Sequence, residues 1–238
     1  MIKHKLQQQI IPADESGFTI IESLVAIVVV AILMAAIAPA IVISTATRVQ
    51  SRRVELATQA TKAFIDSIRT GAITTVPSTV VTLATPTAAA PRRISDVAGT
   101  PPITGRPQDY LINNITDMPT PTSATSLYCF NKNGMISNPD CSSNTNNLFY
   151  IQAGRIVQST GINDGYRLGI RIYRVDVDFS QTLKASTDTT KNRQKTFTGG
   201  LGDRQAPLIE MTTDIGNSNT TFQALCRRLG TATNQACQ

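Results

Sequence analysis

Residues 16–40 read SGFTIIESLVAIVVVAILMAAIAPA, and Glu22 is the only charged side chain among them. From Leu24 to Ile43 there follow 20 consecutive apolar residues, and Phe18 to Ile21 extend the run upstream. A carboxylate at the centre of a bilayer costs about 2.5–3.5 kcal/mol, and less near the interface. Glu22 therefore needs either a cation close by or a place among lipid headgroups. Gly17 stands five positions before it, directly ahead of Phe18.

The other residues with chemistry to offer are few. Four cysteines allow three connectivities, and the local one, Cys129 with Cys141 and Cys226 with Cys237, closes two short loops. Zinc is the alternative, but no C-x-x-C occurs and the only histidine is His4. An even cysteine count in an exported domain favours disulfides. Without a histidine beyond position 4, Ser-His-Asp and Cys-His nucleophilic machinery is excluded from the rest of the chain. The glycine-rich TGGLGD at 198–203 is followed by no Lys-Ser pair and is not a phosphate loop. Asp176 and Asp178 could help hold calcium, but Arg174 beside them makes a solvated ion-pair surface the favoured reading. No catalytic residue, metal site or cofactor is expected, and the chain does not read as an enzyme.

At ~1.5 Å per residue the apolar run spans the ~30 Å hydrocarbon core of a bilayer. A secretory signal peptide has a shorter apolar region of about 7–15 residues before its cleavage site. Ala36-Ile37-Ala38 resembles such a site, but Pro39 would follow the cut. A plain membrane anchor fits the length and explains neither Gly17 nor Glu22.

The stretch GFTIIESLVAIVVVAIL resembles the N-terminal signature of type IV prepilins and type II secretion pseudopilins: a glycine, an aromatic residue, a glutamate four residues on, then an apolar helix. The resemblance implies that a dedicated prepilin peptidase cuts between Gly17 and Phe18 and N-methylates Phe18. Glu22 becomes the fifth residue of the mature chain, with a role in filament assembly. Pro39 falls where many members carry a helix-kinking proline. The leader, residues 1–17, departs from the pattern in its length and in Asp14 and Glu15 before the cut. Lys3 and Lys5 precede the span while Arg48, Arg52 and Arg53 follow it, against the positive-inside rule. The family, rather than charge, then sets the orientation: a single pass through the inner membrane, N-terminus cytoplasmic, C-terminal domain periplasmic, and later residence in a filament.

Cleavage would leave a cationic amine on Phe18. A carboxylate four residues on lies ~6 Å away along a helix axis, within reach of its own amine or a neighbouring subunit's. Breaking one side of a buried pair costs about 3–5 kcal/mol, so only the correct axial stagger of subunits would satisfy both charges.

These residues need elements to hold them. Val49, Leu56, Ala60, Ala63, Phe64 and Ile68 recur near helical spacing, with Arg52, Arg53, Glu55, Gln59, Lys62 and Asp66 on other faces. Arg69 suits a last turn and Gly71 a stop. One helix of roughly 80 Å from Phe18 to Thr70 is expected, bent at Pro39. Its parts are a transmembrane assembly segment, 18–43, and an amphipathic continuation, 44–71. A Thr/Pro-rich connection at 72–125 is expected to be irregular. Within a periplasmic sheet domain at 126–238, LFYIQAGRIVQS and YRLGIRIYRVDVDF flank TGINDG and predict an antiparallel hairpin. A parity slip near Tyr173 predicts a bulge, and APLIEM another strand. Residues 180–205 carry Lys184, Lys191, Arg193, Lys195 and Arg204 and read as a long exposed loop.

The fold class is therefore α+β: a long N-terminal helix whose second half packs on a small antiparallel sheet. The formal net charge of +6 suits an anionic partner such as polysaccharide without naming one. The segment after the span, with the Thr/Pro-rich connection, looks like cyanobacterial minor pseudopilins of hormogonium polysaccharide secretion. That likeness implies a minor pilin or pseudopilin in a filament supporting secretion and surface motility. Its partners would be other pilin subunits, prepilin peptidase, the inner-membrane pilus assembly platform and membrane lipid. The alternative is a binding module, an adhesin or DNA or polysaccharide receptor, carried by the filament.

Overall fold

The computed structural model describes residues 17, 19–82, 115, 118–137, 139, 141, 146–157, 165–187, 189–195, 202–216 and 219–222. The chain divides into two compact units, Met1–Ser44 and Thr45–Gln238. One helix, α1, runs from Ile20 to Arg69, 50 residues and so ~75 Å. It passes through Pro39. Within the first unit its apolar side chains are exposed along their whole length. The helix ends where expected. Gly71 adopts φ 73°, a conformation that side chains with a Cβ resist, and the Ile73 N–H reaches back to Ser67 O at 3.2 Å.

The second unit is built on a five-stranded sheet: β1 (Ser78–Thr82), β2 (Tyr128–Asn131), β3 (Asn147–Val157), β4 (Tyr166–Arg174) and β5 (Ile209–Ile215). The predicted hairpin is β3–β4, paired from Phe149↔Arg174 to Ile156↔Arg167. β5 adds antiparallel to β4. β3 is long enough for two partners along one edge: β2 pairs antiparallel with residues 147–151, and β1 pairs parallel with residues 154–157.

The sheet is therefore mixed, not purely antiparallel, and its parallel strand arises inside the connection expected to be irregular. The bulge predicted near Tyr173 does not form. β4 ends at Arg174, and the register with β3 and β5 is unbroken. The parity change is a strand end, after which Val175, Val177 and Phe179 turn onto a second apolar cluster.

Alternation along the strands divides the sheet into two covered faces. Leu168, Ile170 and Ile172 join Phe149, Ile151, Tyr128 and Phe130 in one core with Ala57, Ala60, Phe64 and Ile65 of α1. Phe64 meets Tyr128 edge-on, centroids 4.9 Å apart. Tyr150, Tyr173 and Cys129 instead join Leu127, Cys141 and Leu183. Irregular chain thus covers the face opposite the helix. Residues 180–205 are not simply an exposed loop: Leu183, Ala185, Ser186 and Gln194 are buried, and Tyr173 Oη donates to Lys184 O at 2.9 Å.

The buried stripe of α1 also differs from the expected one. Val49 is 43 % exposed, while Gln50 is fully buried. The Gln50 amide donates to Gln194 Oε1, and the Gln194 amide donates onward to Asp203 O and Ala206 O. A partner distant in sequence thus takes the Gln50 amide hydrogen, while Gln50 Oε1 is buried without a hydrogen-bond partner.

Candidate assembly site

The start of α1 is organised by a residue the sequence reading passed over. Thr19 precedes the helix, and its Oγ1 accepts the Glu22 N–H at 3.3 Å. Thr19 O accepts the Ser23 N–H at 3.1 Å and the Ser23 hydroxyl at 3.3 Å. Thr19 is thus the N-cap. The signal was present as T-x-x-E, the capping-box spacing. Glu22 lies in the first turn, where the helix dipole favours a carboxylate by about 0.3–1 kcal/mol. Among the described residues it makes no ion pair. Leu24, Val25, Ile27 and Val28 beyond it are all exposed.

Gly17 is exposed, and a Cβ built on it would meet no atom within 4 Å. Its backbone is not in the left-handed region. Nothing in the described fold requires glycine there. Phe18 and the rest of the leader lie outside the described residues, as do Cys226 and Cys237. The remaining two cysteines, Cys129 and Cys141, are joined in the structure with Cα atoms 5.5 Å apart, both buried.

The acidic residues considered for calcium form ion pairs instead. Arg174 Nε donates to Asp176 Oδ1 at 2.7 Å. Asp178 accepts the Ser180 hydroxyl at 2.6 Å and its N–H at 3.0 Å, with Arg204 Nη2 at 3.3 Å. The Ser180 hydroxyl and N–H, with Arg204 helping, hold its carboxyl below the usual range. Among the described residues no three His, Cys, Asp or Glu side chains group as a metal site. Lys184 pairs with Asp203 at 2.6 Å, which lowers the Asp203 carboxyl in turn. Two of the five cations read as a basic loop are therefore neutralised locally.

A second arrangement was not anticipated. Arg171 is fully buried on the face opposite the helix, and Glu210 of β5 is nearly so. Arg171 Nε stands 3.5 Å from Glu210 Oε1, ion-pair range rather than a good hydrogen bond. Arg171 Nη1 donates to Met118 O and, at 3.2 Å, to Gln152 Oε1. Glu210 accepts the Ser186 N–H at 2.9 Å and also its hydroxyl. The pair fastens the end of the connection, at Met118, and the later loop, at Ser186, to the sheet. Burial, the dominant effect, lowers the Arg171 guanidinium from its ordinary value, with Tyr173 and Glu210 opposing. Its chemistry is structural, since every group faces protein.

The first turn of α1 is thus capped and holds a carboxylate that makes no ion pair among the described residues. Residues 13–38 match the family model described as the prokaryotic N-terminal methylation motif, a match that supports the resemblance to type IV pilins and pseudopilins. The motif indicates a structural rather than a catalytic role and implies assembly with other pilin subunits and processing by prepilin peptidase. With the apolar helix it also fits a membrane-anchored single-pass chain. No curated protein and no solved structure matches the chain.

Proposed function

We propose that this protein is a minor pilin or pseudopilin, a subunit of a type IV pilus-like filament that supports secretion, with polysaccharide as cargo, and surface motility. The leader is cut between Gly17 and Phe18, and Phe18 is N-methylated. The mature chain waits in the inner membrane with its N-terminus cytoplasmic and its second unit periplasmic, until the assembly platform extracts it into the filament. There the Phe18 amine of one subunit meets Glu22 of another, and Pro39 kinks the helix.

The observation that carries this reading is Glu22: a carboxylate placed by a capped first turn, without an ion pair, at the head of an exposed apolar helix. Gly17 supports it. The described fold makes no demand for glycine at that position, and a peptidase that seats a small residue at the scissile bond would supply one. The filament-carried binding module is less favoured, because Lys184 and Arg204 are already paired with Asp203 and Asp178.

Mass spectrometry of membrane-extracted protein should find Phe18 at the N-terminus with one added methyl. Glu22→Val should still insert and be cleaved, since a charge is removed from the bilayer and the scissile bond is untouched. It should then accumulate in mature form in the membrane and be missing from sheared fibres. An intact Met1 terminus, or a cut after Ala38, would overturn the processing. Normal amounts of Glu22→Val along the fibre shaft would overturn the charge pairing.

A further inference from the structure

Three arginines stand just past the apolar run, at Arg48, Arg52 and Arg53, and none has an ion-pair partner among the described residues. Arg167, Arg171, Arg174 and Arg204 of the strands and loops each pair with a carboxylate. Arg48 and Arg52 are exposed and lie at i and i+4, on one side of α1, where like charges repel. Arg53 is half-buried, and its Nη1 is buried without a hydrogen-bond partner. Residues 44–54 contain no acid, and Glu55, the first that follows, forms no ion pair with them.

Position says what the group would meet. Arg48 follows Ile43 by five residues in the same helix, a rise of ~7.5 Å. That carries it from the edge of the hydrocarbon into the headgroup layer, and arginine stems reach a further way along the interface. Ser44, Thr47 and Ser51 supply hydroxyls at the same level.

We infer that the exposed Arg48 and Arg52 form a cationic collar that binds anionic phospholipid headgroups of the leaflet on the far side of the span from the leader. This rests on the membrane-anchored reading above and adds to it a lipid preference. Guanidinium forks suit phosphate oxygens in bidentate geometry. The collar also gives a use to charges that otherwise oppose the orientation the family implies. While the subunit waits in the membrane, the collar fixes how deep the helix sits.

The test uses the full chain reconstituted into vesicles of mixed phosphatidylcholine and phosphatidylglycerol, then excised with its surrounding lipid in polymer discs for lipid mass spectrometry. Wild type should carry phosphatidylglycerol enriched several-fold over the bulk mixture, and added salt should weaken the enrichment. Arg48→Gln/Arg52→Gln, both at exposed positions, should lose most of it, and Arg48→Lys/Arg52→Lys should keep the larger part. Bulk lipid composition around wild type, or undiminished enrichment around the Gln variant, overturns the collar and leaves the anchor intact. Enrichment that appears only when the chain self-associates would assign these arginines to a neighbouring subunit and also overturn it. A chain that does not enter the vesicles at all overturns the membrane reading, and this inference with it.

Discussion

Replacing Glu210 by alanine should destabilise the second unit by about 3–5 kcal/mol, the usual loss when one side of a buried ion pair is removed. The structure explains why the value should not be small. Arg171 is fully buried and would keep its charge without its carboxylate, beside the neutral acceptors Met118 O and Gln152 Oε1. Ser186 would lose the acceptor of both its N–H and its hydroxyl. For a chain of this size a loss of 1 kcal/mol lowers Tm by about 2–4 °C, so the expected drop is about 6–20 °C. Near-UV circular dichroism of the full chain in detergent would measure it. Hydrogen exchange should show extra loss of protection around Met118 and Ser186. The double variant Arg171→Met/Glu210→Met separates two explanations. A simple buried pair is often replaceable by apolar residues at no cost. Here Met118 O and the Ser186 donors would remain unsatisfied, at about 1–3 kcal/mol for each buried group. A double variant as stable as wild type would refute the argument that the pair serves to fasten the two irregular segments.

Three further outcomes follow from the same structure. Burial raises the phenols of Tyr128, to about 12, and of Tyr150, Tyr166 and Tyr173. Their folded values lie above the unfolded one, so the stability they contribute is complete below about pH 10 and is lost as pH rises towards the folded values; reversible ionisation of these tyrosines near pH 10 with near-UV dichroism unchanged would contradict this. Gly202→Ala should cost on the order of 1–2 kcal/mol in chemical denaturation, because Gly202 holds φ 75° and a Cβ would fall 2.5 Å from Gln194 Oε1; an unchanged midpoint would show that the Gln50–Gln194 contact does not restrain this loop. Cys129→Ala/Cys141→Ala, a closure over 12 residues, should lose about 2–3 kcal/mol, and free thiols in native protein would refute the pairing.

What could be read from the sequence was local. The apolar run and Gly71 delimit α1, because both work through neighbouring residues. The alternation in β3 and β4 identifies the face that meets the helix. Gly17 and Glu22 fall within the matched motif at 13–38, a pattern legible because it is a short local spacing. What could not be read depends on distant partners. β1 lies in Thr- and Pro-rich sequence and becomes a strand only by pairing with β3. Gln50 is buried because Gln194 meets it. Arg171 occupies a position that alternation assigns to solvent, and the irregular segments that cover it have no periodic pattern to announce them. Phe18, the residue on which the proposed processing would act, lies outside the described residues.

The parallel pairing of β1 with β3 has a consequence for the order of folding. Ser78 must find Gly154, a separation of about 76 residues, whereas β3 and β4 are joined by about eight. Closing the longer loop costs about 2 kcal/mol more in chain entropy. On a chain made from its N-terminus, α1 is complete long before any strand exists to cover its apolar stripe. The antiparallel ladders that β3 makes with β2 and β4 close over shorter loops and are then the first sheet surface it can meet, while β1 faces the larger closure cost in joining β3. For most of its synthesis the chain therefore carries a helix with two uncovered apolar stretches, and only the one at residues 57–65 is covered by this chain's own fold.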